Sequence, residues 1–204
     1  IRFKSRSTMK LGYHNIISLD LFNDGVPTWF EHPNSNLNLD IAVFPLKFEN
    51  RAEIYFANVP SDTDKSYRYD MALRPGMDLF VLGFPFSLEQ NKLPIWKRAS
   101  VASDPSLALV SHHRTFFVDS ASRPGMSGSL VVRRAYGGYL DLNDDHQLVP
   151  EANCPVGIYC GRYIGPNFKE DELQLGRVHP IVLVEEVTSN PRKAANPHLG
   201  AQQP

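Results

Sequence analysis

Residues 116–132 read FFVDSASRPGMSGSLVV, and this stretch decides the fold more than any other part of the chain. It begins as an apolar run, passes through the Pro124-Gly125 pair that is typical of a tight turn, and ends in a second apolar run, Leu130–Val132. Ser127 lies in the turn among small residues, which leave its hydroxyl open and let a substrate carbonyl approach the backbone. The stretch therefore predicts two strands joined by a turn that presents a nucleophilic serine.

Two kinds of turn present a serine nucleophile, and they differ in the element that comes after the serine. The hydrolase elbow has the pattern G-x-S-x-G and continues into a helix. Here Ser129 stands where that pattern needs glycine, and Leu130–Val132 continues as a strand. The elbow is therefore excluded. In the remaining G-x-S-G-[G/S] turn, the N–H groups of Gly125 and Ser127 are candidates to hold a developing oxyanion.

The rest of the chain is divided into short segments in the same way. Sixteen prolines and thirteen glycines separate several runs that alternate or are continuously apolar. Many short strands at regular spacing favour a sandwich or a barrel. One helix is expected after Pro180, where Ile181, Val184 and Val187 recur at helical spacing. The stretch 189–204 has almost no large apolar side chains and is expected to be a disordered tail.

The composition excludes several classes of protein. The 204 residues are 42% hydrophobic and 21% charged, which is usual for a globular protein, so the chain is not disordered as a whole. Lysine and arginine total 21 against 22 aspartates and glutamates, and the formal charge of -1 argues against a nucleic-acid-binding surface. Apolar runs such as Leu79–Leu82 are far shorter than the roughly 20 residues that cross a bilayer. We expect no nucleic-acid partner and no membrane span.

Three further segments accompany the serine turn. Leu39–Leu46 (LDIAVFPL) contains the pattern D-[IV]-A-[LV], and Pro75–Phe86 resembles G-x-x-V-x-x-x-G-[YFN]-P, with Leu79 at the position of the valine. Val156–Gly161 (VGIYCG) is an apolar strand that ends in glycine. In this order, and with the serine turn, the segments resemble the trypsin-like serine peptidases, in particular the bacterial HtrA type. The resemblance covers roughly residues 20–187.

This resemblance implies an all-β fold: a double Greek-key β-barrel of chymotrypsin-like architecture, with the active site in the cleft between the barrels and a C-terminal helix packed outside. Residues 1–66 would form the first barrel, truncated at its N-terminus. Residues 67–188 would form the second barrel with the helix, followed by the tail 189–204. Further domains in the full-length protein would be compatible with this arrangement.

The resemblance also assigns roles to single residues. Ser127 would be the nucleophile, Asp40 would orient a histidine base, and the N–H groups of Gly125 and Ser127 would form the oxyanion hole. Ala121 maps to the base of the primary pocket, where an uncharged residue favours a small or apolar P1 side chain. The positions implied to bind substrate are Ala121, Ile158, Tyr159 and Cys160.

The histidine base is missing from its usual place. A serine hydroxyl needs a neutral imidazole to take its proton, and in this family that histidine precedes the aspartate. Only His14 and His32 precede Asp40. We expect His32 to be a solvated loop residue, and His14 lacks the small-residue context of the family's segment. We therefore expect the base to lie upstream of Ile1, with His14 as the alternative within the chain.

The predicted function is a serine endopeptidase that hydrolyses polypeptide substrates through an acyl-enzyme, without metal or cofactor. The alternative is a protease-like fold that has lost catalysis and serves as a binding or regulatory module. Two observations favour it: the missing histidine, and Met126 and Ser129 in place of the commoner G-N-S-G-G.

Two weaker signals are given structural interpretations. Asp141, Asn143 and Asp145 have the 1-3-5 spacing of a calcium loop, but His146 stands at the sixth position where that loop has glycine, so we expect a solvated acidic hairpin. The cysteines, Cys154 and Cys160, are expected to be structural thiols rather than a bridge.

Overall fold

Short strands separated by turns make up most of the computed structural model, which describes residues 2–4, 14–16, 20–37, 39–46, 70–85, 94–121, 124–163 and 173–195. For residues 2–4 and 14–16 only the backbone is described. The strands are β1 (Arg2–Lys4), β2 (His14–Ile16), β3 (Phe22–Asn23), β4 (Val26–Pro27), β5 (Phe30–Glu31), β6 (Asp78–Gly83), β7 (Ile95–Val101), β8 (Phe116–Asp119), β9 (Ser129–Tyr136), β10 (Tyr139–Leu140), β11 (His146–Gln147), β12 (Glu151–Arg162), β13 (Leu175–Pro180) and β14 (Arg192–Lys193). A 3-10 helix (Pro105–Leu109) precedes β8, and the α-helix α1 (Val182–Ser189) follows β13.

Six strands close into an antiparallel barrel in the order β6-β7-β8-β13-β12-β9. The fourth of these strands along the chain, β9, lies beside the first, β6, which is the 4-1-2-3 order of a Greek key. The predicted all-β class, with a closed barrel and a helix after it, is confirmed. A barrel in residues 1–66 stays a prediction.

The barrel core follows from side-chain alternation. In β6, Leu79 and Val81 are fully buried while Asp78 at the start of the strand is exposed, as a strand with one buried face requires. Each fully buried side chain of this size contributes roughly 1.5–3 kcal/mol through removal from water. The largest fully buried residues of the barrel are Tyr159, Phe116, Leu79, Met126, Val81, Val118, Val131 and Val178.

The chain forms two compact units, residues 1–57 with 183–204, and residues 58–182. The second unit contains the barrel. In the described part of the first unit, β1 pairs with β2, β3 with β4, and β5 with β14. Helix α1 buries Leu183 and Val187 and, from residue 183 onward, groups with the first unit, whereas the sequence prediction attached it to the second barrel. None of the helices in the described ranges has the length and apolar character of a membrane-spanning segment.

Part of the predicted disordered tail has structure. Within the described residues after Ser189, Arg192 pairs with Glu31 and Lys193 with Phe30 as β14. The prediction relied on the lack of large apolar side chains, but this strand is held by backbone pairing and by an ion pair between Arg192 and Glu31 of 2.7 Å. Polar contacts to a distant segment leave no apolar pattern in the sequence.

Asp141 stabilises the turn between β10 and β11 through hydrogen bonds that its carboxylate accepts. It is 7% exposed; its Oδ1 accepts hydrogen bonds from the N–H groups of Asn143 (2.9 Å) and Asp145 (3.0 Å), and its Oδ2 accepts one from Gln147 (2.8 Å). Burial acts to raise the pKa of Asp141, but these hydrogen bonds outweigh it and hold the pKa below its ordinary value. The prediction of a solvated hairpin is thus wrong at Asp141. No three metal-ligating side chains cluster within the described ranges.

The lowered pKa of Asp141 makes a prediction about stability and pH. A carboxylate whose pKa is lower in the folded chain stabilises it above the unfolded pKa of about 3.9, and this stabilisation is lost as the pH falls through the folded pKa. We therefore expect the melting temperature of the unaltered chain to fall more steeply between about pH 5 and about pH 2 than that of Asp141→Asn. The exposed Asp145→Asn is the control; equal pH dependence of all three proteins would contradict this account.

Candidate active site

The turn between β8 and β9 presents Ser127 on the surface of the barrel. Gly125 and Gly128 flank it with φ of 91° and 83°, in the left-handed region that glycine adopts without strain. The N–H group of Gly128 donates to the carbonyl of Tyr159 on β12 at 2.8 Å, which fixes the turn to the barrel wall. Ser127 itself is exposed. The two glycines thus turn the chain so that the serine faces solvent.

The residues on either side of Ser127 anchor the turn from below. Met126 is fully buried and Ser129 is 7% exposed, and the Ser129 N–H donates to the Met126 carbonyl at 3.1 Å. The end of β6 approaches both residues closely: a β-carbon on Gly83 would lie 2.9 Å from the Met126 sulfur and would collide with the Ser129 hydroxyl. The turn therefore fits only because residue 83 has no side chain.

The sequence predicts that the N–H groups of Gly125 and Ser127 form an oxyanion hole, and this role stays a prediction. Within the described ranges, the N–H groups of Gly125 and Ser127 have no acceptor. Pairing of β9 with β12 ends at Ser129 and Tyr159, and β12 continues alongside the turn. There a β-carbon on Gly161 would be 3.4 Å from the Ser127 hydroxyl oxygen, so the strand passes directly beside the serine.

The predicted substrate-binding residues lie at the end of β8 and on β12. Ala121 is exposed and lies just beyond the end of β8, and Ile158 is half-buried. The ring of Tyr159 is buried and packs against Gly176, where a β-carbon would lie 2.9 Å from the tyrosine hydroxyl. Cys160 is half-buried, and its thiol donates to the carbonyl of Arg177 at 3.3 Å. Their contact with a substrate stays a prediction.

Of the two cysteines, Cys154 is excluded as a nucleophile by its burial. Both are free thiols. Burial raises the pKa of Cys154 to about 12, so this thiol stays protonated and unreactive at neutral pH. Cys154 is thus a core residue of the barrel, in the role that the sequence predicts.

Asp40 lies in the first unit, on a segment closed at its base. The N–H of Phe30 donates to the carbonyl of Val43 (2.8 Å), and the N–H of Val43 donates to the carbonyl of Phe30 (2.9 Å). The chain from Phe30 to Val43 therefore forms a loop. Asp40 lies near the C-terminal end of this loop, and its side chain is exposed. Its placement next to Ser127, which belongs to the other unit, stays a prediction.

His32 is not the solvated loop residue that the sequence predicts. It is 6% exposed, its Nδ1 accepts a hydrogen bond from the N–H of Asn34 (3.1 Å), and its Nε2 donates to Oε2 of Glu186 (2.7 Å). Sequence reasoning missed this bond because Glu186 is 154 residues away. With both nitrogens bonded, His32 is a structural residue. The other candidate, His14, lies in β2, whose side chains are outside the described part of the structure.

Comparison with known proteins gives distant similarity to solved structures. No family model and no curated protein matches the chain. Among solved structures, a crystal structure of Rv3671c from M. tuberculosis H37Rv, a point mutant in its inactive form, is 16% identical with a TM-score of 0.35. The match covers 68% of this chain and 54% of that chain, so the chain spans about half the length of that structure.

The packing beneath the serine turn predicts the effect of Gly83→Ala. The added methyl group would force Met126 and Ser129 to move, and overpacking of this kind costs roughly 1–3 kcal/mol. We expect lower stability in denaturant unfolding, together with displaced NMR resonances of the Ser127 and Gly128 amides.

The control for this prediction is Gly76→Ala. Gly76 has a φ of 86° and open space around its α-carbon, so the substitution costs backbone strain of roughly 1–2 kcal/mol without touching the serine turn. Unmoved Ser127 resonances in Gly83→Ala would show that β6 does not set the position of the turn.

Proposed function

We propose that this chain is the part of a trypsin-like serine endopeptidase that carries the nucleophile, Ser127, and the acid that orients the base, Asp40. One observation carries the proposal: an exposed serine on a turn between two left-handed glycines, with the N–H groups of Gly125 and Ser127 lacking acceptors within the described ranges. A hydroxyl beside unpaired backbone donors is the arrangement that acyl transfer requires.

The reaction proceeds through two acyl-transfer steps. The Ser127 oxygen attacks the carbonyl carbon of the peptide bond while a histidine base takes the hydroxyl proton, and the N–H groups of Gly125 and Ser127 bind the oxyanion. The histidine then gives its proton to the leaving amine. Water, deprotonated by the same histidine, attacks the acyl-enzyme; the bond to the Ser127 oxygen breaks, and the histidine returns the proton to that oxygen. Asp40 holds the imidazole in the tautomer and orientation that these transfers need.

The course of β12 supports an extended polypeptide as the substrate. Beyond its pairing with β9, the strand runs on through Cys160, Gly161 and Arg162 past the serine. A peptide laid along this strand would bring one of its carbonyl groups to the Ser127 oxygen. Gly161 leaves this approach open, because any larger residue would occupy space next to the hydroxyl.

The first test is covalent labelling of the full-length protein with a fluorophosphonate. We expect one adduct, on Ser127, because a serine activated by an imidazole attacks phosphorus as it attacks a carbonyl. Ser127→Ala is expected to lose the adduct, and Ser106→Ala, at an exposed serine outside the turn, is expected to keep it; peptide mapping by mass spectrometry locates it. A folded chain that is not labelled would refute the enzyme and favour the binding or regulatory module.

The second test addresses Asp40. Asp40→Asn is expected to lower kcat by roughly 10³- to 10⁴-fold with little change in KM, because the amide favours the wrong tautomer of the base but does not contact substrate. Asp20→Asn, at another exposed position of the first unit, is the matched control and is expected to retain full activity. Equal kcat values for the two variants would remove Asp40 from the mechanism.

A further inference from the structure

We infer that the segment 186–194, here called the C-terminal clamp, holds the Asp40 segment in its working position, and that Glu186 and His32 are positioning residues for Asp40. The catalytic part of this inference rests on the proposed function. The physical part, that the clamp orders the residues around Asp40, stands on contacts within the first unit alone.

The first contact of the clamp is between Glu186 and His32. The imidazole is 6% exposed, and its Nε2 lies 2.7 Å from the Glu186 carboxylate. The ring's other nitrogen accepts the N–H of Asn34, so both nitrogens are satisfied without water. A buried donor that loses its partner is costly, so His32 is expected to move or to admit water when Glu186 is removed.

Arg192 makes the second contact. Its Nε donates to the carbonyl of His32 (3.0 Å) and its Nη2 donates to the carboxylate of Glu31 (2.7 Å), so one guanidinium binds backbone and side chain of successive residues. Further along, the N–H of Ala194 donates to the carbonyl of Trp29 at 3.4 Å. The clamp therefore makes hydrogen bonds along the segment from residue 29 to residue 32.

These contacts bear on Asp40 because of how its segment is built. The paired residues Phe30 and Val43 close the segment at its base, and His32 is the buried anchor just inside that closure. Asp40 is exposed, and within the described ranges its carboxylate makes no hydrogen bond or ion pair of its own. Its position is therefore set by the backbone, and the backbone is set by the base of the segment that the clamp holds.

A shift in the triad acid has a large kinetic effect. Displacement of a catalytic group by about 1 Å can lower a rate by roughly 10²-fold. Loss of the clamp is therefore expected to slow the step in which Ser127 is activated, and to leave the binding of substrate nearly unchanged.

The experiment compares Glu186→Ala with Glu185→Ala, a neighbouring glutamate on α1 whose side chain makes no ion pair with the described residues. Glu186→Gln, whose amide oxygen can still accept from His32, is the conservative variant. Hydrogen exchange of peptides covering residues 29–43 measures the clamp directly. We expect faster exchange in Glu186→Ala than in Glu185→Ala, with partial recovery in Glu186→Gln. Equal exchange in all three overturns the clamp.

The rate of fluorophosphonate labelling of the full-length protein then tests the positioning role. We expect labelling roughly 10- to 100-fold slower in Glu186→Ala than in Glu185→Ala. Because the clamp acts through Asp40, Glu186→Ala is expected to have no further effect when Asp40→Asn is already present, whereas a general loss of stability would slow both backgrounds.

The outcomes separate the two proposals. Faster exchange with an unchanged labelling rate, or an equal loss in both backgrounds, overturns the positioning role of Glu186 and His32. If the unaltered protein is not labelled at all, the proposed function fails, and the exchange result still decides whether the clamp exists.

Discussion

One packing constraint positions the candidate active site: Met126 must be buried so that Ser127, the next residue, can be exposed. A turn of small residues makes few packing contacts of its own. Here it is anchored by the buried residues Met126 and Ser129 and by the hydrogen bond from Gly128 to Tyr159. The constraint extends into the barrel, because the space that Met126 fills exists only where β6 ends in a glycine. The position of Ser127 is thus set mainly by buried residues that do not face solvent themselves.

The barrel was predictable from the sequence, because it depends on local patterns. Alternation along β6 and the continuous apolar runs of β9 and β12 reflect which side chains face the core, and the Pro124-Gly125 pair marks the turn. The closeness of Ser127 to the N–H groups of Gly125 and Ser127 itself was predictable for the same reason. They lie within three residues of one another, so the sequence itself places them together.

The contacts that sequence reasoning missed are polar and distant. The bond between His32 and Glu186 joins residues 154 apart, and that between Arg192 and His32 joins residues 160 apart. Such pairs leave no periodic pattern in the sequence. A histidine next to a proline is typical of a loop, so the burial of His32 could not be inferred without its distant partner. Asp141 was missed differently: the acidic spacing predicted a solvated hairpin, but Asp141 is buried and its carboxylate accepts hydrogen bonds from neighbouring N–H groups.

The first unit is made of two stretches of chain, and in the sequence the residues of the barrel come between these stretches. During synthesis the barrel is continuous and can close while later residues are still in the ribosome, because domains fold as their segments emerge. The pairing of β5 with β14 has to wait for residues beyond 190, and contacts of such long sequence separation form slowly. A nascent chain therefore displays its serine turn before the other unit has been completed. If that unit supplies the acid, as proposed, the serine turn forms before the carboxylate that would act with it.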